Sequence, residues 1–170
     1  MDRSAAPLAP AAPGAAGQLT TTAPSETRAL GRAIGEASTP GTLLALRGPL
    51  GAGKTQLAKG VAEGLGIATV VNSPTFILMN EHAGRLRLYH VDAYRLDDPE
   101  EALAAGLLDR ERQASGVTVV EWADRLDGYL PEDRLDVELT PDARGGDERT
   151  IRWQTIGEVD RAIVDALETR

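Results

Sequence analysis

The sequence predicts an α/β fold: a mixed sheet with parallel core strands, an antiparallel hairpin extending it, and helices on its flanks. Three observations support this. The apolar run Thr42-Leu43-Leu44-Ala45-Leu46 leads into the glycine-rich octet 48–55, and residues at helical spacing follow it. Val117-Thr118-Val119-Val120-Glu121 is a second apolar run, closed by a carboxylate, as in a strand buried on both faces. Leu135, Val137 and Leu139 alternate with charged residues, and Ile151 and Trp153 alternate again after the turn-rich stretch 141–147. That pattern suits a hairpin with one wet face.

Taken in order, residues 1–22 are mostly Ala, Pro, Gly and Thr and bury too little to offset their ordering entropy, so they are expected to form a disordered tail. A signal peptide is not expected there. Pro7, Pro10 and Pro13 interrupt any apolar core, and Arg3 is the early positive charge. Residues 23–170 are expected to form one domain. Residues 25–37 read as a helix with Leu30, Ala33, Ile34 and Ala37 on one face. The helix after the octet carries Leu57, Ala58, Val61, Ala62 and Leu65 and stops at Gly66. A polar turn, 72–76, leads to a strand over 77–79. His82 and residues 83–85 read as a hairpin loop, and residues 86–92 return as a strand ending in Asp92. Asp98-Pro99-Glu100-Glu101 is a helix start, with an N-cap carboxylate and proline at the first helical position. Val159, Ala162, Ile163 and Ala166 mark a last helix. His90 reads as a strand residue satisfied by its neighbours.

The octet Gly48-Pro49-Leu50-Gly51-Ala52-Gly53-Lys54-Thr55 spells G-x-x-x-x-G-K-T, the phosphate-binding P-loop. Its glycines let successive N–H groups turn inward into an anion-binding nest. Lys54 brings charge to the β and γ phosphates, and the Thr55 hydroxyl suits Mg²⁺. Strand, loop and helix occur in the required order, which predicts a P-loop NTPase-type sheet. Such a site needs acids at the ends of neighbouring strands. Asp92 and Glu121 each end an apolar run, and either could hold the metal or orient the attacking water. Ser73 and Thr75 lie where a loop can sense the γ-phosphate. Trp122 beside Glu121 is either a packed aromatic or a contact, and Arg95 either faces phosphate or pairs with a nearby acid.

Composition narrows the classes. The net charge is −8 and the lysines are Lys54 and Lys59, so no basic face for nucleic acid is expected; RNA would be held by a partner. No cysteines means no disulfide framework and no thiolate metal site, which is compatible with the cytoplasm. No stretch is long enough to span a membrane.

GPLGAGKT, SPTF, LYHVDAYRLDDPEE and VVEWADRL, in that order, resemble the TsaE family of bacterial ATPases, also called YjeE. The similarity runs from about Ser25 to Trp153. It implies slow ATP hydrolysis in making N6-threonylcarbamoyladenosine (t6A) on tRNA, with a TsaD-like carbamoyltransferase and a TsaB-like subunit as partners. By that resemblance Gly51, Ala52, Gly53, Lys54 and Thr55 hold phosphate, with Gly48 and Leu50 among the nucleotide-binding residues, and Thr55 and Glu121 ligate Mg²⁺. Asp92 belongs to the family's HxDxYRL block, Trp122 to its EW pair, and Thr27 matches a threonine near the nucleotide. The stretch 144–150 departs from the pattern; Arg149 is its candidate for a late arginine contact.

A small-molecule kinase is the alternative. It would normally carry arginines on a lid over the phosphates, and Arg110 and Arg112 are the nearby candidates. A GTPase is disfavoured, because N-K-x-D is absent and Asp92-Ala93-Tyr94 lacks the glycine of D-x-x-G. A nucleotide-dependent assembly module with negligible hydrolysis is a third class.

Overall fold

The computed structural model describes residues 14–69, 71–72 and 78–170. Among them, seven strands form one sheet in the order β1-β7-β6-β2-β5-β4-β3. The strands are β1 (Ala16–Thr21), β2 (Leu43–Arg47), β3 (Met79–His82), β4 (Arg87–Asp92), β5 (Gly116–Glu121), β6 (Arg134–Pro141) and β7 (Arg149–Ile156). β2 pairs in parallel with both β5 and β6, and β4 pairs in parallel with β5. β7, β1 and β3 add antiparallel edges. The mixed α/β fold expected from the sequence is present. The expected hairpin is β6 and β7, and β6 also joins the parallel core.

The helices explain the apolar runs. Leu44, Leu46, Val117 and Val119 point to one face, where α1 (Pro24–Ala37), α2 (Lys54–Gly64) and α5 (Arg161–Glu168) pack. Leu43, Ala45 and Val120 point to the other, under α3 (Pro99–Ala104) and the turn around Leu126. A strand covered on both faces shows no polar alternation, which is why β2 and β5 read as continuous apolar runs. The short α4 (Arg110–Ala114) precedes β5.

α1 and α2 meet backbone to backbone. A Cβ on Gly31 or Gly35 of α1 would strike the Leu57 or Val61 carbonyl, and a Cβ on Gly60 or Gly64 of α2 would strike the Arg28 or Arg32 carbonyl. This close approach fixes the start of α2 beside α1. A Cβ on Gly53 would accordingly come into van der Waals contact with the Thr27 methyl.

Three boundaries differ from expectation. Ala16–Thr21, placed in the tail by composition, forms β1, so the ordered chain starts before residue 23. Main-chain pairing with β7 orders it, from Ala16 opposite Gln154 to Thr21 opposite Arg149. That source of order needs no large apolar side chains, although Leu19 also packs on the core. β3 is described over Met79–His82, which pair with Val91 to Leu88, so the strand expected over 77–79 runs on and His82 ends it instead of lying in a loop; residue 77 lies outside the described residues. Ser73 and Thr75 lie outside the described residues.

Candidate functional site

The P-loop leaves the end of β2 and turns into α2 at Lys54. Gly51 and Gly53 have φ of 78° and 103°, in the region where a side chain is strained. Gly48 is at 139°, and a Cβ there would strike the Leu139 carbonyl. A cavity of about 490 Å³ opens over this cradle. It is lined by Thr27 and Pro24 of α1, by Asp92, Glu121 and Trp122, and by Asp147 and Arg149. Leu50 stands at its rim with 82% of its surface exposed. The cavity therefore brings together Thr27, Leu50 to Thr55, Asp92, Glu121 and Trp122. Gly48 shapes the turn into it.

Two cations hold carbonyls of the loop, and the Ala52 N–H is taken up by Pro49 O at 3.1 Å. Lys54 Nζ donates to Gly48 O at 2.6 Å and to Pro49 O at 2.9 Å. Arg149 donates from Nη2 to Gly51 O and from Nε to Ala52 O, both at 3.1 Å. Its Nη1 reaches Gly146 O at 2.7 Å. Arg149, the late arginine that only a poorly matching stretch suggested, is thus bound to the cradle itself.

The acids sit opposite. The register pairs Asp92 with Glu121 across β4 and β5. Glu121 is buried, and the Thr55 hydroxyl donates to its Oε1 at 2.9 Å. Its Oε2 lies 2.5 Å from His90 Nε2. Asp92 is less enclosed; its Oδ1 accepts from the Tyr94 N–H at 2.9 Å. Burial, with the Glu121 charge adding, raises the Asp92 carboxyl above the usual aspartate range, against the Tyr94 N–H and Lys54. Burial also lowers the Lys54 ammonium, against the pull of Glu121, Asp92 and Asp124.

Trp122 has φ of 57°, the one positive value outside glycine among the described residues. A bulky residue there is strained. The turn lays its indole under Lys54 Nζ, 3.9 Å from the ring centroid, and against Tyr94, with centroids 4.8 Å apart. A cation over an indole face is an attractive contact.

The arginines named for a kinase lid lie elsewhere among the described residues. Neither Arg110 nor Arg112 lines the cavity, and Arg112 donates to Gly106 O at 2.9 Å. Pro24, Gln56, Tyr94 and Asp147 line the cavity without having been singled out from the sequence, and His90, read as a strand residue satisfied by its neighbours, is in β4 and meets Glu121. The spacing H-x-D was the available signal, since residues two apart on a strand share a face.

Thr55, Glu121 and Asp92 offer hard oxygen donors of the kind Mg²⁺ takes. Among the described residues no group of three or more His, Cys, Asp or Glu could hold an ion by itself. Such a set fits magnesium that arrives with phosphates and keeps some of its water. No described helix is long and apolar enough to cross a membrane.

Residues 21–151 match the family model described as "Threonylcarbamoyl adenosine biosynthesis protein TsaE". The tRNA threonylcarbamoyladenosine biosynthesis protein TsaE of Bacillus subtilis is 44% identical over 138 residues, which covers 81% of this chain and 84% of that protein. Its Mycobacterium leprae counterpart is 39% identical over 144 residues, 80% of this chain and 89% of that one. The crystal structure of Bacillus subtilis YdiB superposes with a TM-score of 0.75 at 34% identity and covers 92% of this chain and 96% of its own. The chain belongs to the TsaE family of threonylcarbamoyl adenosine biosynthesis proteins.

Proposed function

We propose that the cradle binds ATP with Mg²⁺ and hydrolyses it slowly, and that the nucleotide state acts as a switch on a cytoplasmic complex that makes t6A. The partners in this reading are a TsaD-like carbamoyltransferase and a TsaB-like subunit. With a net charge of −8, this chain meets tRNA only through them.

The carrying observation is the cavity in which the Gly51 to Thr55 backbone faces the Thr55–Glu121 pair. Loop N–H groups and the start of α2 favour a polyphosphate. Lys54 leaves the Gly48 and Pro49 carbonyls and turns to the β and γ phosphates. Magnesium, when bound, neutralises phosphate charge and polarises the γ-phosphoryl group. Thr55 and Glu121 would hold it, and Asp92 lies where it can orient water. In this reading Thr27 and Pro24, which also line the cavity, meet the nucleoside.

Calorimetric titration of Mg²⁺ and ATP should give one saturable site. Lys54→Ala should weaken it by about 10- to 150-fold, the 1.5–3 kcal/mol of charge-assisted hydrogen bonds. A folded protein that takes up no ATP would overturn the reading. Rapid phosphoryl transfer to a small metabolite would replace the switch with a kinase.

A further inference from the structure

His90 is completely buried near the end of β4, among strand neighbours such as Leu88 and Val91 that are purely apolar. An imidazole is a costly choice there unless its nitrogens find partners. One does. Nε2 lies 2.5 Å from Glu121 Oε2, while Nδ1 has no hydrogen-bond partner. The ring's N–H therefore belongs on Nε2, where it donates to the carboxylate.

The register explains why the pair meets. Asp92 stands opposite Glu121, so His90, two residues earlier on the same face, is the diagonal neighbour of Glu121. Glu121 is then gripped on both oxygens, by His90 on Oε2 and by the Thr55 hydroxyl on Oε1. A carboxylate held at Oε2 cannot rotate freely, so Oε1 stays beside Thr55 at the mouth of the cradle.

We propose that His90 is a positioning residue that orients Glu121 for magnesium and so sets how strongly the metal tightens nucleotide binding. This rests on the nucleotide reading above. His90 does not line the cavity and needs no contact with ligand. A histidine that merely filled the core would leave the metal dependence untouched.

The test is titration of ADP in EDTA and in Mg²⁺, for the wild-type chain and for His90→Leu, His90→Gln and His90→Asn, each checked for folding by thermal unfolding. The ratio of the two affinities is the readout. His90→Leu should cut that ratio by about tenfold or more, with metal-free affinity within about twofold of wild type. His90→Gln, whose amide reaches as far as Nε2, should restore most of it. If the leucine variant does not fold, glutamine against the shorter asparagine carries the same comparison. An unchanged ratio in His90→Leu overturns the proposal, as does equal loss of metal-free and metal-assisted binding without rescue by glutamine. A folded wild-type chain that binds no ADP overturns the nucleotide reading and the positioning role together; wild-type binding with an unaltered His90→Leu ratio overturns the positioning role alone.

Discussion

The ends of β4 and β5 lie side by side in parallel, each closing an apolar strand with an acid and following it with an aromatic two residues or one residue later. Yet they are built differently. Glu121 is buried and bonded on both oxygens by side chains from α2 and β4. Asp92 is part-exposed, bonded to the backbone of its own turn, and pushed towards its protonated form. A carboxylate fixed by two donors suits a role that needs a constant position, such as holding a metal. One with a raised proton affinity and access to the cavity suits a role at water. Their place at strand ends leaves the two equivalent, and only the resemblance sets Glu121 at the metal; their neighbours separate them.

The largest expected effect sets these acids against each other. Glu121→Gln should cut ATP turnover, measured with partners present, by about 10²- to 10³-fold, and should remove most of the magnesium dependence of binding. Asp92→Asn should cut turnover by about tenfold to a hundredfold while keeping that dependence. If Asp92→Asn loses the metal response and Glu121→Gln keeps it, the assignment of roles is reversed.

A smaller effect appears in stability. The Asp92 carboxyl titrates higher in the folded chain than in the unfolded one, so over that window the folded state binds more protons. Stability from this group is therefore present at low pH and is lost as pH rises through the folded value. Asn cannot ionise. Asp92→Asn should thus gain on wild type progressively from about pH 4 upward in the metal-free protein, read by denaturant unfolding at several pH values. The opposite trend would mean that Lys54 and the Tyr94 N–H outweigh burial at Asp92.

Most of the fold was legible because its core strands are covered on both faces, which writes them as uninterrupted apolar runs. The loop was legible for a similar reason: Gly48, Gly51 and Gly53 are demanded by backbone geometry, and no other residue meets it cheaply. β1 was not legible, since its order comes from main-chain bonds to β7 that leave no mark on its side chains. Arg149 was named as a candidate, but what it holds was hidden for a related reason. It bonds to carbonyls of residues almost a hundred positions away, and a carbonyl looks the same in every residue. His90 showed a trace, as its spacing from Asp92 places both on one face, but the partner lies on a different strand.

The smallest predicted effect tests what joins the two strand ends. Tyr94 follows β4, Trp122 follows β5, and their rings meet at 4.8 Å. Tyr94 is 48% exposed, so its ring contributes through this contact more than through burial. Tyr94→Ala should lower stability by about 1 kcal/mol, roughly 2–4 °C in thermal unfolding. The bond to Asp92 Oδ1 comes from the Tyr94 backbone N–H, which alanine retains. The pH trend of Asp92 should therefore survive in the variant while the indole loosens. Loss of both together would show that the ring, rather than the backbone turn, holds Asp92 in place, and the two strand ends would then act as one unit instead of two.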